Sequence, residues 1–215
     1  MARTKPFEEY ADRYDGWFAG NRSVYQAELQ AVRSLLPPHE SAVEIGVGTG
    51  RFAAPLGVRI GVEPSTAMAV IARQRGIQVV RAVAEKLPFR DEAFDVALLI
   101  TTLCFLDDVE LCFQESHRVL QPGGCFLVGF IDAQSRCGQA YQRHRTESRF
   151  YGEAQFYPAG EVVSRLASAG FGDFASVQTI CDPSLGSASP QPIHPGYGEG
   201  CFVVIRGMKP TRPLW

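Results

Sequence analysis

Three glycines alternate in Glu44-Ile45-Gly46-Val47-Gly48-Thr49-Gly50, and nineteen positions past Glu44 a second acid, Glu63, closes an apolar run. Glycine admits positive φ and lets a ligand come close to the backbone. Where a strand turns into a helix, the free N–H groups of such a loop suit an anion or a carboxylate. An acid at the end of the following strand is placed to accept hydrogen bonds from the two hydroxyls of a ribose. The glycines alone would mark only a turn; together with Glu63 they imply a nucleotide-bearing ligand. The spacing also excludes candidates. The dinucleotide fingerprint needs glycine at position 51, which is Arg51, and no Tyr-x-x-x-Lys arrangement occurs. No Gly-Lys-Ser/Thr follows the loop, so a Walker-type phosphate cradle is excluded. Hydride transfer with a nicotinamide cofactor is thereby the runner-up chemistry.

These residues need a scaffold, and the hydrophobic pattern supplies one. Short apolar runs at 42–45, 58–63, 78–81, 94–100 and 125–131 read as strands. Helical spacing falls between them at 66–75, with Ser65 as N-cap and Gly76 at the end, and at 109–120, stopped by Gln121-Pro122-Gly123-Gly124. Asp107-Asp108 would start the second of these helices, and His117 within it reads as structural. A further helix is expected at 158–170 and late strands at 176–181 and 201–206, joined by a long Pro/Ser/Gly-rich loop at 182–200. Strands that are apolar throughout and alternate with helices indicate a parallel sheet covered on both faces. Ligands of such sheets lie beyond the carboxyl ends of the strands, where strand order reverses.

Composition fits this picture. The chain has 215 residues, 46% of them apolar and 20% charged, enough for one domain. Lys plus Arg number 21 against 23 acids, with no basic run, so nucleic acid is not an expected partner. No apolar stretch approaches the roughly 20 residues of a membrane span, so membrane insertion is not expected either. The first ten residues lack a signal-peptide core. The six cysteines (104, 112, 125, 137, 181 and 201) form no Cys-x-x-Cys pair. They read as free, small hydrophobes in a cytoplasmic protein without a metal site.

Five segments in order carry a resemblance: residues 43–50; Gly61-Val62-Glu63-Pro64-Ser65 through Met68; Ala84-Glu85-Lys86-Leu87-Pro88-Phe89; Phe94-Asp95-Val96; and residues 115–124. In these the chain resembles the class I S-adenosylmethionine-dependent methyltransferases, and within them the small-molecule branch that includes the ubiquinone/menaquinone methyltransferases. The resemblance implies an α/β fold, a Rossmann-like three-layer sandwich whose mostly parallel seven-stranded sheet ends in an antiparallel strand. It implies that Glu44 and Gly46, Val47, Gly48 and Gly50 hold the methionine end of S-adenosylmethionine, and that Glu63 takes the ribose. Pro64 and Met68 would flank the adenine, Ala84 would offer its N–H to the adenine edge with Glu85 beside it, and Thr101 would lie beneath the methionine. Tyr10 and Tyr14 resemble the N-terminal segment, here 1–40, that covers the cofactor in relatives. Many relatives carry an Asp before the Ala-Glu pair; here it is Val83.

The acceptor side is less marked. The polar, aromatic stretch 132–157 matches the substrate lid of relatives, and Tyr141 and His144 within it, with Tyr197 in the late loop (flanked by His194 and Glu199), are the substrate candidates. Arg136, Arg143, Arg145 and Arg149 suggest an acceptor with negative charge or a polar carbonyl. Methyl transfer from a sulfonium is chiefly alignment, which supplies roughly 7–11 kcal/mol, so no catalytic residue need show. A base is needed only for an acceptor that arrives protonated. A non-catalytic S-adenosylmethionine-binding sensor or partner subunit therefore stays open beside the enzyme reading.

Overall fold

The computed structural model describes residues 4–180 and 191–211. Three N-terminal helices, α1 (Lys5–Glu9), α2 (Ala11–Gly20) and α3 (Arg22–Leu35), lead into β1 (Ala42–Ile45). There follow α4 (Ala53–Leu56), β2 (Ile60–Val62), α5 (Thr66–Gln74), β3 (Gln78–Val80) and β4 (Phe94–Ile100). Next come α6 (Val109–Val119), β5 (Leu120–Ile131), α7 (Arg136–His144), α8 (Ala159–Ser168), β6 (Gly172–Thr179), β7 (His194–Pro195) and β8 (Phe202–Met208). The last residue of the expected strand 176–181 and the first part of the loop, 182–190, lie outside the described residues.

The strands form one sheet in the order β3-β2-β1-β4-β5-β8-β6-β7. β1 to β5 are mutually parallel, and β8 runs antiparallel between β5 and β6. Alternate residues of each central strand face opposite layers. Val43, Ala97, Phe126, Val128 and Val203 pack with Phe113 of α6 and Val162 of α8. Ala42, Val96, Leu98, Leu127 and Val204 pack with Val32 of α3 and Ala53 of α4. Both faces are apolar because both are covered, as parallel sheets require. The strand order reverses between β1 and β4, which puts the switch point at the loops after Ile45 and Ile100.

Three expectations are corrected. The described sheet has eight strands, not seven, because within the long loop His194–Pro195 pairs with Gln178 and Val177 at the outer edge of β6. Proline is tolerated there because an edge strand need not donate on both sides. The segment Gln121-Pro122-Gly123-Gly124 does not break from the sheet: β5 begins at Leu120, with a register irregularity opposite Phe94 and Val96. Gly123 N–H donates to Lys209 O and Lys209 N–H to Gly124 O, which holds the segment extended. The cysteines are not all free: Cys137 of α7 is disulfide-bonded to Cys201, next to the start of β8. Among the described residues, no helix is long and apolar enough to cross a membrane.

Candidate active site

At the end of β1 the backbone enters the left-handed region at Gly46, φ +70°. A side chain there is excluded twice over, by that φ and by Thr102, whose side chain fills the place of a Cβ. Thr102 Oγ1 donates to Gly46 O at 3.1 Å, while Gly46 and Val47 N–H groups donate to Val62 O at 2.8 and 2.9 Å. The glycine loop is thus pinned between the ends of β2 and β4. Glu63, just past β2, accepts from Ser65 N–H at 2.8 Å and Gly48 N–H at 2.9 Å. Burial pushes its carboxyl up to about 7, against the pull of these two donors.

Around this turn lies a half-open cavity. Its lining includes Tyr14, Gly46, Gly48, Glu63, Pro64, Met68, Ala84, Glu85 and Thr101, drawn from five stretches of sequence. Three of the residues expected with them lie behind the wall. Val47 is buried and its side chain fills the space above Gly61, where a Cβ would come within 2.5 Å of Val47 Cγ1. Gly50 packs on Ala72 and Ile77. Glu44 is buried beneath the loop; burial pushes its carboxyl well up, it accepts from the Ala53 N–H, and its Oε2 has no partner.

Glu85 is at the cavity rim, but its Oε1 accepts from the N–H groups of Asp107 (2.9 Å) and Asp108 (3.4 Å). It ties the loop after β3 to the start of α6, where the Asp108 side chain caps Leu111 N–H. Val83 stands in the wall with Val62, Ala82 and Leu106, an apolar slot for a flat ring. His117, away from the site, packs edge-on to Phe171 with ring centroids 5.1 Å apart.

The roof is aromatic, and composition alone does not reveal it. Phe7 of α1 meets Tyr14 at 5.8 Å, Phe105 at 4.9 Å and Phe150 at 5.6 Å between centroids. Phe7 and Phe105 both line the cavity. α1 is fastened to the first turn of α5 by Ser65 Oγ donating to Glu8 Oε2 at 2.5 Å. α2 is fastened to the glycine loop: Asp15 accepts from Arg51 (2.8 and 2.6 Å) and from Arg75 (2.8 Å), and Arg75 also donates to Thr49 O. Partial burial raises the Asp15 carboxyl, but the two guanidiniums outweigh it and hold it at about 2. Inside the roof, the hydroxyls of Tyr14 and Thr101 are hydrogen-bonded. Thr101 adopts φ 54°, rare for a β-branched residue, and its N–H donates to Gly129 O.

Thr101 also lines a second, smaller cavity, walled by Phe130, Tyr151, Phe156 and Tyr157. Tyr141 stacks against this wall, 5.3 Å from Tyr151 and 6.1 Å from Phe156. The other acceptor candidates are elsewhere. His144 is exposed and contacts Glu147 at 3.2 Å, and Tyr197, 46% exposed, lies on the surface near Gly160. His194 and Glu199 are exposed as well. Arg136, Arg143 and Arg145 point to solvent from α7 and its end, and Arg149 covers the Tyr10 ring at 4.2 Å. The basic stretch is an outer face, so it gives no support to an anionic acceptor.

The groups present fit S-adenosylmethionine. Each carboxylate oxygen carries two lone pairs, so Glu63 retains acceptor capacity at the cavity wall for a ribose diol. The Gly46–Thr102 approach leaves a floor with no side chain. Glu44 Oε2 is a buried acceptor in need of a donor under the same loop.

A parallel sheet with the antiparallel strand β8 inserted between β5 and β6, a glycine turn at its switch point and an acid after β2 define the Rossmann-like methyltransferase class. Comparison with known proteins agrees. Residues 43–128 match the model of the methyltransferase domain family. A crystal structure of a S-adenosylmethionine-dependent methyltransferase of Thermotoga maritima, a possible histamine N-methyltransferase, is 46% identical, covers 95% of this chain and 98% of its own, and superposes with a TM-score of 0.92. An uncharacterised protein of Methanocaldococcus jannaschii is 41% identical over 94% of this chain and 98% of its own length. The demethylmenaquinone methyltransferase of Chlorobaculum tepidum is 34% identical over 40% of this chain and 38% of its own. The chain belongs to the S-adenosylmethionine-dependent methyltransferase family.

Proposed function

We propose that this protein binds S-adenosylmethionine in the larger cavity and methylates a small molecule held in the smaller one. The observation that carries the reading is the junction at Thr101, a residue common to both cavities at the carboxyl end of β4. Bound S-adenosylmethionine supplies an activated methyl group on a sulfonium sulfur. The chain's own part is positional. Glu63 orients the ribose, the apolar slot at Val62, Val83 and Leu106 takes the ring, and the Tyr14–Thr101 pair fixes the roof over the reacting end. Phe7, Phe105 and Phe150 exclude water from it. Such alignment suffices for displacement at an already activated carbon.

Calorimetric titration tests this. S-adenosylmethionine and S-adenosylhomocysteine should both bind the wild type, NAD should not, and Glu63→Ala should weaken binding by tenfold or more. Binding of NAD alone would overturn the reading. Binding of the cofactor with no methyl transfer to any member of a metabolite panel would favour the sensor alternative. Histamine belongs in that panel because of the Thermotoga relative's description.

A further inference from the structure

The helix α1 closes the larger cavity and is lightly held. Thr4 and Phe7 belong to the cavity lining, yet no residue of α1 is buried. Little apolar surface therefore fixes it, and segments of that kind open at small cost. A joint stands at its end. Tyr10, between α1 and α2, sits at φ −132° and ψ 33°, outside the helical region, and its side chain does not cap α2. A change of φ and ψ at one such residue is enough to swing a short helix while its neighbour stays in place.

Opposing that motion are the Phe7 ring, packed on Tyr14, Phe105 and Phe150, and the Glu8 carboxylate. Glu8 Oε2 accepts from Ser65 Oγ at 2.5 Å and, at the longer distance of 3.4 Å, from Ala67 N–H. Both donors belong to the start of α5, where free N–H groups and the helix dipole favour a carboxylate. The Ser65 hydrogen bond holds the Glu8 carboxyl below its usual range, so the acid is ionised at neutral pH and the hydroxyl is the donor. Ser65 itself is fixed. It is 1% exposed, its Oγ accepts from Met68 N–H at 3.3 Å, and its own N–H donates to Glu63 Oε1 at 2.8 Å. A fixed donor thus faces a carboxylate carried on an exposed, jointed helix. Pro64 and Met68, on either side of Ser65, line the cavity, so this fastening lies at its rim.

We infer that Glu8 is a positioning residue for the cofactor: acting through Ser65, it latches α1 shut over the cavity and sets how fast the cofactor enters and leaves. This rests on the methyltransferase reading above and adds a gate to it. The latch joins two groups of the protein, so it stabilises the closed form with or without ligand. A contact made equally in both states shifts no binding equilibrium and changes only the rates. A side chain that touched the ligand would instead speed release and weaken affinity together.

Stopped-flow binding of S-adenosylhomocysteine to the full chain tests this. Glu8→Ala should speed both binding and release by roughly tenfold, the scale of one hydrogen bond to a charged group. The dissociation constant should stay within about threefold. Glu8→Gln, whose amide oxygen still accepts from Ser65, should keep both rates within about threefold of the wild type. Ser65→Ala should speed both rates, and adding Glu8→Ala to it should change nothing further, because the pair is already broken. Unchanged rates in Glu8→Ala, faster release alone with an equal loss of affinity, or a full further acceleration in the Ser65→Ala background would each overturn the latch. Glu8 is exposed, so its variants decide the matter even if Ser65→Ala, which also loses the cap of α5, folds poorly. Failure of the wild type to bind S-adenosylhomocysteine would instead overturn the methyltransferase reading itself.

Discussion

Glu63 shows how one side chain is set for its task by position alone. It is buried at the end of β2, which raises its carboxyl to about 7, and two backbone N–H groups hold both of its oxygens in place. Ribose hydroxyls donate to the ionised form, so ligand binding favours that form. Above pH 7 the acid is ready; below it, each unit of pH asks for a proton to be expelled on binding. The dissociation constant for S-adenosylhomocysteine should therefore rise by up to about tenfold per unit as pH falls from 7 to 6. In Glu63→Gln the affinity should be lower at pH 8 and the profile flat. A wild-type profile that is flat across this range would remove Glu63 from the ribose contact. Glu63 was legible in the sequence because its type and spacing both point to the ribose. The burial of Glu28 was not: one Glu on a helix normally faces solvent, yet α3 packs against β6 and β8 and leaves it 8% exposed.

At the scale of elements, the sequence pattern was most readable where both faces of a strand are apolar. The runs at 42–45 and 94–100 coincide with β1 and β4 as observed. Ser65 caps α5 by accepting from Met68 N–H, as the run of residue types there implies. What stayed hidden depends on contacts between distant segments. Arg51 counted only as a missing glycine, yet with Arg75 it is the hook that seats α2 on the glycine loop through Asp15. That hook has a pH signature. The Asp15 carboxyl is depressed in the folded protein to about 2, so its contribution is fully present above the ordinary carboxylate range near pH 4. It is lost as pH falls through 2. Asp15→Asn should cost about 1–2 kcal/mol at pH 7, allowing for the partial exposure of the cluster. The wild type and the variant should converge in stability between pH 4 and 2 in denaturant titrations. A gap unchanged down to pH 2 would mean that Asp15 acts through packing and not charge. The variant should also bind S-adenosylhomocysteine more weakly, since the helix that carries Tyr14 is no longer anchored.

At the scale of the whole molecule, two groups of elements meet over the site: the parallel half of the sheet carries the glycine loop, and the antiparallel end anchors α7. The anchor is the Cys137–Cys201 disulfide, joining α7 to the chain just before β8 across a separation of 64 residues. No sequence motif announces it, because the chain between positions 137 and 201 must fold before the two sulfurs are neighbours. Closing a loop of that length restricts the unfolded chain by roughly 4 kcal/mol in the chain-entropy view, with measured cases more often 2–4. A 215-residue domain shifts by roughly 2–4 °C per kcal/mol, so reduction, or Cys137→Ser with Cys201→Ser, should lower Tm by roughly 5–10 °C. Thiol titration in denaturant should find two more thiols after reduction than before, and the double variant should show no such gain. The consequence reaches the acceptor side, because α7 carries Tyr141 against Tyr151 and Phe156 in the wall of the smaller cavity. Hydrogen exchange in α7 should accelerate on reduction, while exchange in β1, β4 and β5, buried in both cores, stays slow. Affinity for S-adenosylhomocysteine should be unaffected, since none of the residues lining its cavity belongs to α7. A fall in that affinity equal to the loss in α7 protection would show that α7 and the glycine loop are one cooperative unit, and the division of the molecule into these two halves would fail.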